Sequence, residues 1–218
     1  MISVIPQKDL PPRLADLRDP PKQLYVRGAS VCLEMPSVAI IGSRVTTPYG
    51  RQVARDWAAR LAGEGLAIIS GLALGIDAEA HQGALDAGGR TVAVLGCGID
   101  RNYPSGNKEL AQRIESEEGG GVIVSEYEPG VEPAPWRFPA RNRIVAGLAD
   151  VVLIIECRER SGTLITAEFA LEMDRPVLAI PRDIAEGTMG SNLFIREKRA
   201  AMVLSVADVI GWMDRLEP

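Results

Sequence analysis

"VAIIGSRVTTPYGRQVARDWAARLAGEGLAIIS", residues 38–70, begins and ends on short apolar runs, VAII at 38–41 and LAIIS at 66–70. Both are rich in β-branched residues and apolar on either face, as strands of a parallel sheet covered on both sides are. Between them, Thr47-Pro48 offers a helix cap followed by a first-turn proline, and the amphipathic stretch that follows ends in glycines. A strand, a helix and a second strand of this kind make one parallel crossover unit.

The same rhythm continues outward from this unit. Further apolar runs lie at 91–96 (TVAVLG), 122–125 (VIVS), 151–156 (VVLIIE), 176–180 (PVLAI) and 201–205 (AMVLS). Amphipathic stretches lie at 76–87, 106–117, 161–173 and 205–216. The alternation predicts an α/β, doubly wound, Rossmann-like fold: a mostly parallel sheet of about seven or more strands with helices on both faces. Residues 1–36 are irregular and carry the pairs Pro11-Pro12 and Pro20-Pro21, with QLYVRG at 23–28 as a short edge strand. The expected organisation is an N-terminal extension, 1–36, packing on one domain, 37–218.

The chain has 218 residues, 46% apolar and 24% charged, with a net charge of −5. Overall charge therefore does not advertise nucleic-acid binding, although a local basic cluster is compatible with it. Cys32, Cys97 and Cys157 form no CxxC pair, and their odd number argues against a disulfide framework or a zinc site. The N-terminal MISVIPQKDLPPRL lacks the apolar core of a signal peptide, and no apolar run reaches the roughly 18 residues of a membrane span. The expectation is a reduced, soluble, cytoplasmic protein.

In doubly wound sheets ligands bind beyond the carboxyl ends of the strands, so the loops there should carry the chemistry. Those loops are GSRVTTPYG, GLALGID, GCGIDRNYPSGN, EYEPGVEPAPWRFPARNR, CRERSGTLITAE and PRDIAEGTMGSN. None is a P-loop, and GCGIDR has Arg101 where a dinucleotide fingerprint needs its third glycine. There is no GxSxG elbow, and the one histidine, His81, lies inside a helical stretch four residues after Asp77. A hydrogen-bonded scaffold histidine is the plainer reading of it than a triad member. No catalytic residue, metal or cofactor is expected.

What remains is anion binding without hydrolysis. SGT at 161–163 ends a loop and opens a helix, whose free N–H groups and dipole favour an anion. Arg44 follows Gly42 and Ser43 at the first strand end, Arg137, Arg141 and Arg143 lie in WRFPARNRIV, and Arg158 and Arg160 flank the SGT turn. Trp136 and Phe138 interleave with these arginines, as a base-stacking platform requires. A solvated arginine rim with two core aromatics is the competing interpretation.

SGLALGIDAEAHQGAL, AVLGCGIDRNYP, SEY, FPARNRIVAGLAD and SGTLITAEFALEMDRPVLAIP, in that order, resemble the Rossmann-like core of the DNA-processing protein A (DprA, also Smf) family, and AIIGSR fits its start. The resemblance runs from about residue 10 to residue 204. It implies a cytoplasmic, homodimeric, single-stranded-DNA-binding protein that protects DNA and assists RecA loading in recombination or natural transformation, and that is not an enzyme. It implies a DNA site formed by Gly42, Ser43, Arg44, Gly71, Phe138, Arg141, Asn142, Arg143, Ser161, Gly162 and Thr163. The glycines of SGLALGID would shape this pocket, with His81 in the scaffold. No counterpart of the family's sterile-alpha-motif-like and winged-helix domains is expected in these residues. The chain departs from the family's pattern at Arg182, where a glycine usually follows the proline, and at Lys198-Arg199, where Gly-Ala is usual.

A second reading is a sensor or phosphoribohydrolase of a nucleotide-derived small molecule. RSGTLITAE is similar at Gly162-Thr163 to the PGGxGTxxE loop of such hydrolases, but Ile165 and Thr166 stand where their glutamates would lie.

Overall fold

In a computed structural model, which describes residues 1–184 and 189–216, the strands form one nine-stranded sheet. The strands are β1 (Ile2–Pro6), β2 (Gln23–Gly28), β3 (Ser37–Ile41), β4 (Ala67–Ser70), β5 (Thr91–Leu95), β6 (Val122–Ser125), β7 (Val151–Ile154), β8 (Val177–Ala179) and β9 (Ala201–Met202). The helices are α1 (Pro12–Ala15), α2 (Pro48–Gly63), α3 (Ile76–Asp86), α4 (Lys108–Glu115), α5 (Arg137–Leu148), α6 (Gly162–Glu172), α7 (Gly190–Arg196) and α8 (Val206–Met213).

The strand order is β1-β2-β6-β5-β4-β3-β7-β8-β9. Every pairing is parallel except β1 with β2 and β2 with β6. The chain starts its parallel sheet at β3, winds outward through β4, β5 and β6, then returns beside β3 with β7 and winds the other way. The crevice at this reversal, above the ends of β3, β4 and β7, is where a doubly wound sheet receives its ligand.

Alternation along each strand divides the core. Ala39 and Ile41 of β3 face a cluster with Leu14, Ile144, Val145, Ala167, Ala170 and Phe194, so α1, α5, α6 and α7 cover that side. Val38 and Ile40 face the opposite side, with Trp57, Leu61, Ile76 and Val209 from α2, α3 and α8. Leu110 and Ile114 of α4 extend that second layer over Ala93, Leu95 and Ile123. This is the mostly parallel, doubly covered sheet expected from the sequence.

Three details differ from that expectation. QLYVRG is a strand, but it lies second in the sheet because β1 pairs outside it. WRFPARNR is not loop: α5 begins at Arg137, and Pro139 is accommodated in its first turn, where an amide would lack an intrahelical acceptor anyway. The run 201–205 keeps only two residues of strand. Residues 185–188 of the loop after β8 lie outside the described residues.

Candidate nucleic-acid interface

A cavity of about 570 Å³ opens at the crevice, between the loops that follow β3, β4, β5, β6 and β7. Its walls include Gly42, Ser43, Arg44, Gly71, Phe138, Arg141, Asn142, Ser161, Gly162 and Thr163. Of the expected site residues only Arg143 lies elsewhere.

The loop after β4 is built by its own hydrogen bonds. Asp77 Oδ2 accepts the Gly71 and Ala73 amides at 3.1 and 3.3 Å. Asn107 Nδ2 donates to the Leu72 and Ala73 carbonyls at 2.9 and 3.1 Å. Leu72 is held in the left-handed region, φ 56°, with its side chain buried. Gly75, at φ 85°, lets this loop pass against the carbonyls of Ser43 and Arg44, where a Cβ would collide with both. Gly71 similarly leaves room for the Arg141 guanidinium, 2.5 Å from where its Cβ would stand. The glycine-rich stretch therefore shapes the pocket floor. Burial pushes the Asp77 carboxyl up, against the pull of the Arg141 charge and the two amides.

Helix α5 delivers Phe138, Arg141 and Asn142. Arg141 is only 4% exposed. Its Nη1 donates to the Gly71 carbonyl at 2.6 Å and to that of Val94, and its Nε donates to Asn142 Oδ1 at 3.2 Å. Burial pushes the Arg141 guanidinium's pKa down, with Asp77 opposing. Asn142 donates to the Gly162 carbonyl at 3.2 Å, joining α5 to the start of α6. The Phe138 ring stacks on Tyr103, centroids 5.3 Å apart, and the Arg44 guanidinium lies 5.5 Å from the Phe138 centroid.

Arg143 faces away. Two residues further along an α-helix, its side chain is turned by about 200° from that of Arg141. Its Nη1 and Nη2 donate to the two carboxylate oxygens of Glu126 at 2.8 and 2.7 Å, and its Nε donates to the Asp19 carbonyl at 3.0 Å. Its fork is occupied by the protein, so it does not join the cavity. Arg137 is also elsewhere: it lies over the rings of Tyr127 and Trp136 and donates to the Glu132 carbonyl.

The third wall is the start of α6. The amides of Gly162 and Thr163 fall in its first turn and have no acceptor within the helix. Thr163 Oγ1 donates to the Gly42 carbonyl at 2.9 Å, fixing the helix end against the β3 loop. Arg158, one of the arginines noted beside the SGT turn, lines the same cavity, as does Tyr103, which was not among the expected site residues. Tyr103 comes from the RNYP loop, where the sequence offers an aromatic but no cue to its partner. Among the described lining residues Arg44, Arg141 and Arg158 are basic and Asp77 alone is acidic, so the cavity suits an anion with a flat ring.

His81 stays out of the cavity. Thr91 Oγ1 donates to the Ile68 carbonyl at 2.6 Å, so His81 Nδ1 donates to Thr91 Oγ1, also at 2.6 Å. It ties α3 to β5 as a scaffold group. Among the described residues no cluster of three or more His, Cys, Asp or Glu side chains is placed to hold a metal ion, and no helix is long and apolar enough to cross a membrane.

Comparison with known proteins gives the family. The chain is 41% identical over 198 residues to the DNA processing protein DprA of Streptococcus pneumoniae, covering 91% of this chain and 69% of that one. It is 44% identical over 177 residues to Protein Smf of Synechocystis, covering 79% of this chain and 44% of that one. A solved structure of DNA processing protein A from Helicobacter pylori, titled for its single-stranded-DNA binding mode, superposes with a TM-score of 0.89 at 33% identity, covering 99% of this chain and 96% of that one. The sequence profile of the DNA recombination-mediator protein A family matches residues 1–214, and the chain belongs to that family.

Proposed function

We propose that this protein binds single-stranded DNA in the crevice cavity and assists recombination without acting as an enzyme. One observation carries the reading: Arg44, the Phe138–Tyr103 stack and the free amides at the start of α6 line a single opening. A single strand presents phosphates and unstacked bases together, and this opening has partners for both. Arg44, Gly162 and Thr163 take phosphate, with Gly42, Ser43 and Ser161 shaping the contact. Phe138 takes a base, while Gly71, Arg141 and Asn142 form the floor and hold the walls together. The binding domain is 37–218, with 1–36 as its extension.

The partners follow from the family reading: DNA held here is protected and handed to a RecA-type recombinase in the cytoplasm. The protein works as a homodimer through its last strand and helix, a reading supported by Met202 and Leu204, which are 55% and 69% exposed at the outer edge of the sheet. Sedimentation at micromolar concentration tests the dimer, and a monomer throughout refutes it.

The test of binding is a titration with labelled single-stranded and duplex oligonucleotides at several salt concentrations. Single strands should bind with a marked salt slope and duplex poorly, since its bases are already stacked. Equal binding of duplex removes the stacking role. Full competition by an excess of mononucleotide favours a small-molecule sensor instead.

A further inference from the structure

We infer that Glu156 positions Arg44 for phosphate by holding the loop that carries it on both sides, with Arg182 as a brace. The inference rests on the reading that Arg44 binds DNA. Residues 42–47 connect β3 to α2. The main-chain carbonyl of Glu156 accepts the Ser43 amide at 2.9 Å. Its carboxylate accepts the Thr47 amide at 2.8 Å through Oε1 and the Thr47 hydroxyl at 2.8 Å through Oε2. One residue, just beyond the end of β7, thus grips the loop on both sides of Arg44, at Ser43 and at Thr47.

The surroundings are built for this carboxylate. Glu156 is fully buried, where an unpaired charge would be strongly unfavourable. Arg182 Nη2 stands 3.0 Å from Glu156 Oε2 and donates to Thr47 Oγ1 at 3.0 Å. The Thr47 hydroxyl also accepts the Gly50 amide at 2.9 Å, as the cap of α2, so its one donor and two acceptor sites are all used. Gly50 has no side chain because a Cβ there would run into the Glu156 carboxyl group. Arg182 is itself fixed: its amide and carbonyl exchange hydrogen bonds with the Asn192 side chain at 2.8 and 2.7 Å. Its guanidinium lies 4.5 Å from the Tyr49 ring centroid.

Arg44 needs such support. Its exposed guanidinium lies over the Phe138 ring but donates no hydrogen bond to, and forms no ion pair with, the described residues, so the backbone of its loop sets where it stands. Ordering that loop at the moment of binding would weaken affinity, and a loop already held avoids the loss. Glu156, being buried, acts through Arg44 and not on DNA.

A double-mutant cycle separates this role from general stability. Binding of a labelled single-stranded oligonucleotide and thermal melting are measured for the parent, Glu156→Gln, Arg44→Ala and the double variant. Glu156→Gln should bind roughly tenfold more weakly, about the effect of losing one charge-assisted hydrogen bond. It should flatten the salt slope as Arg44→Ala does, and should cost nothing further in the Arg44→Ala background. Equal losses in both backgrounds, or an unchanged affinity in Glu156→Gln, overturn the inference. If Glu156→Gln does not fold, Arg182→Met replaces it in the same cycle: a loss confined to the background that keeps Arg44 supports the inference, and equal losses or none overturn it. If Arg44→Ala binds like the parent, it is the DNA reading of Arg44 that fails, and the cycle reports this separately.

Discussion

Phe138 and Tyr103 stack with their ring centroids 5.3 Å apart and their planes 24° from parallel. One ring comes from α5 and the other from the loop after β5, so two walls of the cavity meet in this contact. Tyr103 therefore supports the ring on which a base is proposed to stack. Tyr103→Ala and Phe138→Ala should each weaken single-strand binding, the latter by about 1–3 kcal/mol, while leaving the salt slope nearly unchanged. Arg44→Ala should instead reduce the magnitude of the slope by about 0.7. Fluorescence anisotropy at four salt concentrations distinguishes the two patterns. A Tyr103→Ala variant that binds like the parent would show that the stack has no part in holding DNA.

Arg143 is an arginine whose fork is taken up within the protein, unlike that of Arg44. Its bidentate pair with Glu126 is largely enclosed, with side-chain exposures of 12% and 16%. Arg143→Gln should lower unfolding stability by about 1–3 kcal/mol, the range for losing a charge-assisted hydrogen bond in a partly buried site. Oligonucleotide affinity and its salt slope should stay at the parent values. A flattened slope in this variant would return Arg143 to the DNA site.

Much of this architecture was legible in the chain. The central parallel strands announce themselves because both faces are covered, so nearly every residue of runs such as VAII or VVLI is apolar. β1 gave no such signal: it is an outer strand, with most of its residues exposed. α5 was hidden by Pro133, Pro135 and Pro139, which read as loop, although the last of them sits in the first helical turn. That omission also erased the helical phase, and only the phase separates Arg141, turned to the cavity, from Arg143, turned to Glu126. Tyr103 entered the site through a tertiary contact that no local pattern encodes. The loop glycines were legible as a packing requirement, but not the residues they make room for.

His81 gives the protein a pH-dependent stability that one substitution isolates, because it is the chain's one histidine. Burial, reinforced by the Arg141 charge, holds its pKa down to about 3, against about 6.5 in an unfolded chain. The unfolded state therefore takes up the proton first. The stabilising contribution of neutral His81 is complete above about pH 6.5 and is lost as the pH falls below it, at up to about 1.4 kcal/mol per unit. Asp77, pushed up by burial, titrates in the opposite sense and cancels when two proteins are compared. Urea midpoints at pH 7.5 and 5.5 should fall in the parent and change much less in His81→Gln. Equal pH dependence in the two proteins would mean that the imidazole is not held neutral.

Lys198 holds a backbone conformation that favours glycine. α7 closes with Lys198 at φ 59°, in the left-handed region. The Lys198 amide donates to the Ile195 carbonyl at 3.0 Å and the Arg199 amide to that of Phe194 at 2.9 Å, the paired bonds of a Schellman ending. A side chain in this conformation costs roughly 1–2 kcal/mol, and glycine removes most of that cost while adding some freedom to the unfolded chain. Lys198→Gly should therefore stabilise the protein by about 0.5–1 kcal/mol, which for a chain of this length raises Tm by about 1–4 °C. Lys198→Val, with a β-branched side chain in the same conformation, should lower it. The position is exposed and remote from the cavity lining, so oligonucleotide affinity should be the same in all three proteins. A Lys198→Gly variant that melts below the parent would show that the lysine side chain contributes more at this turn than its backbone costs.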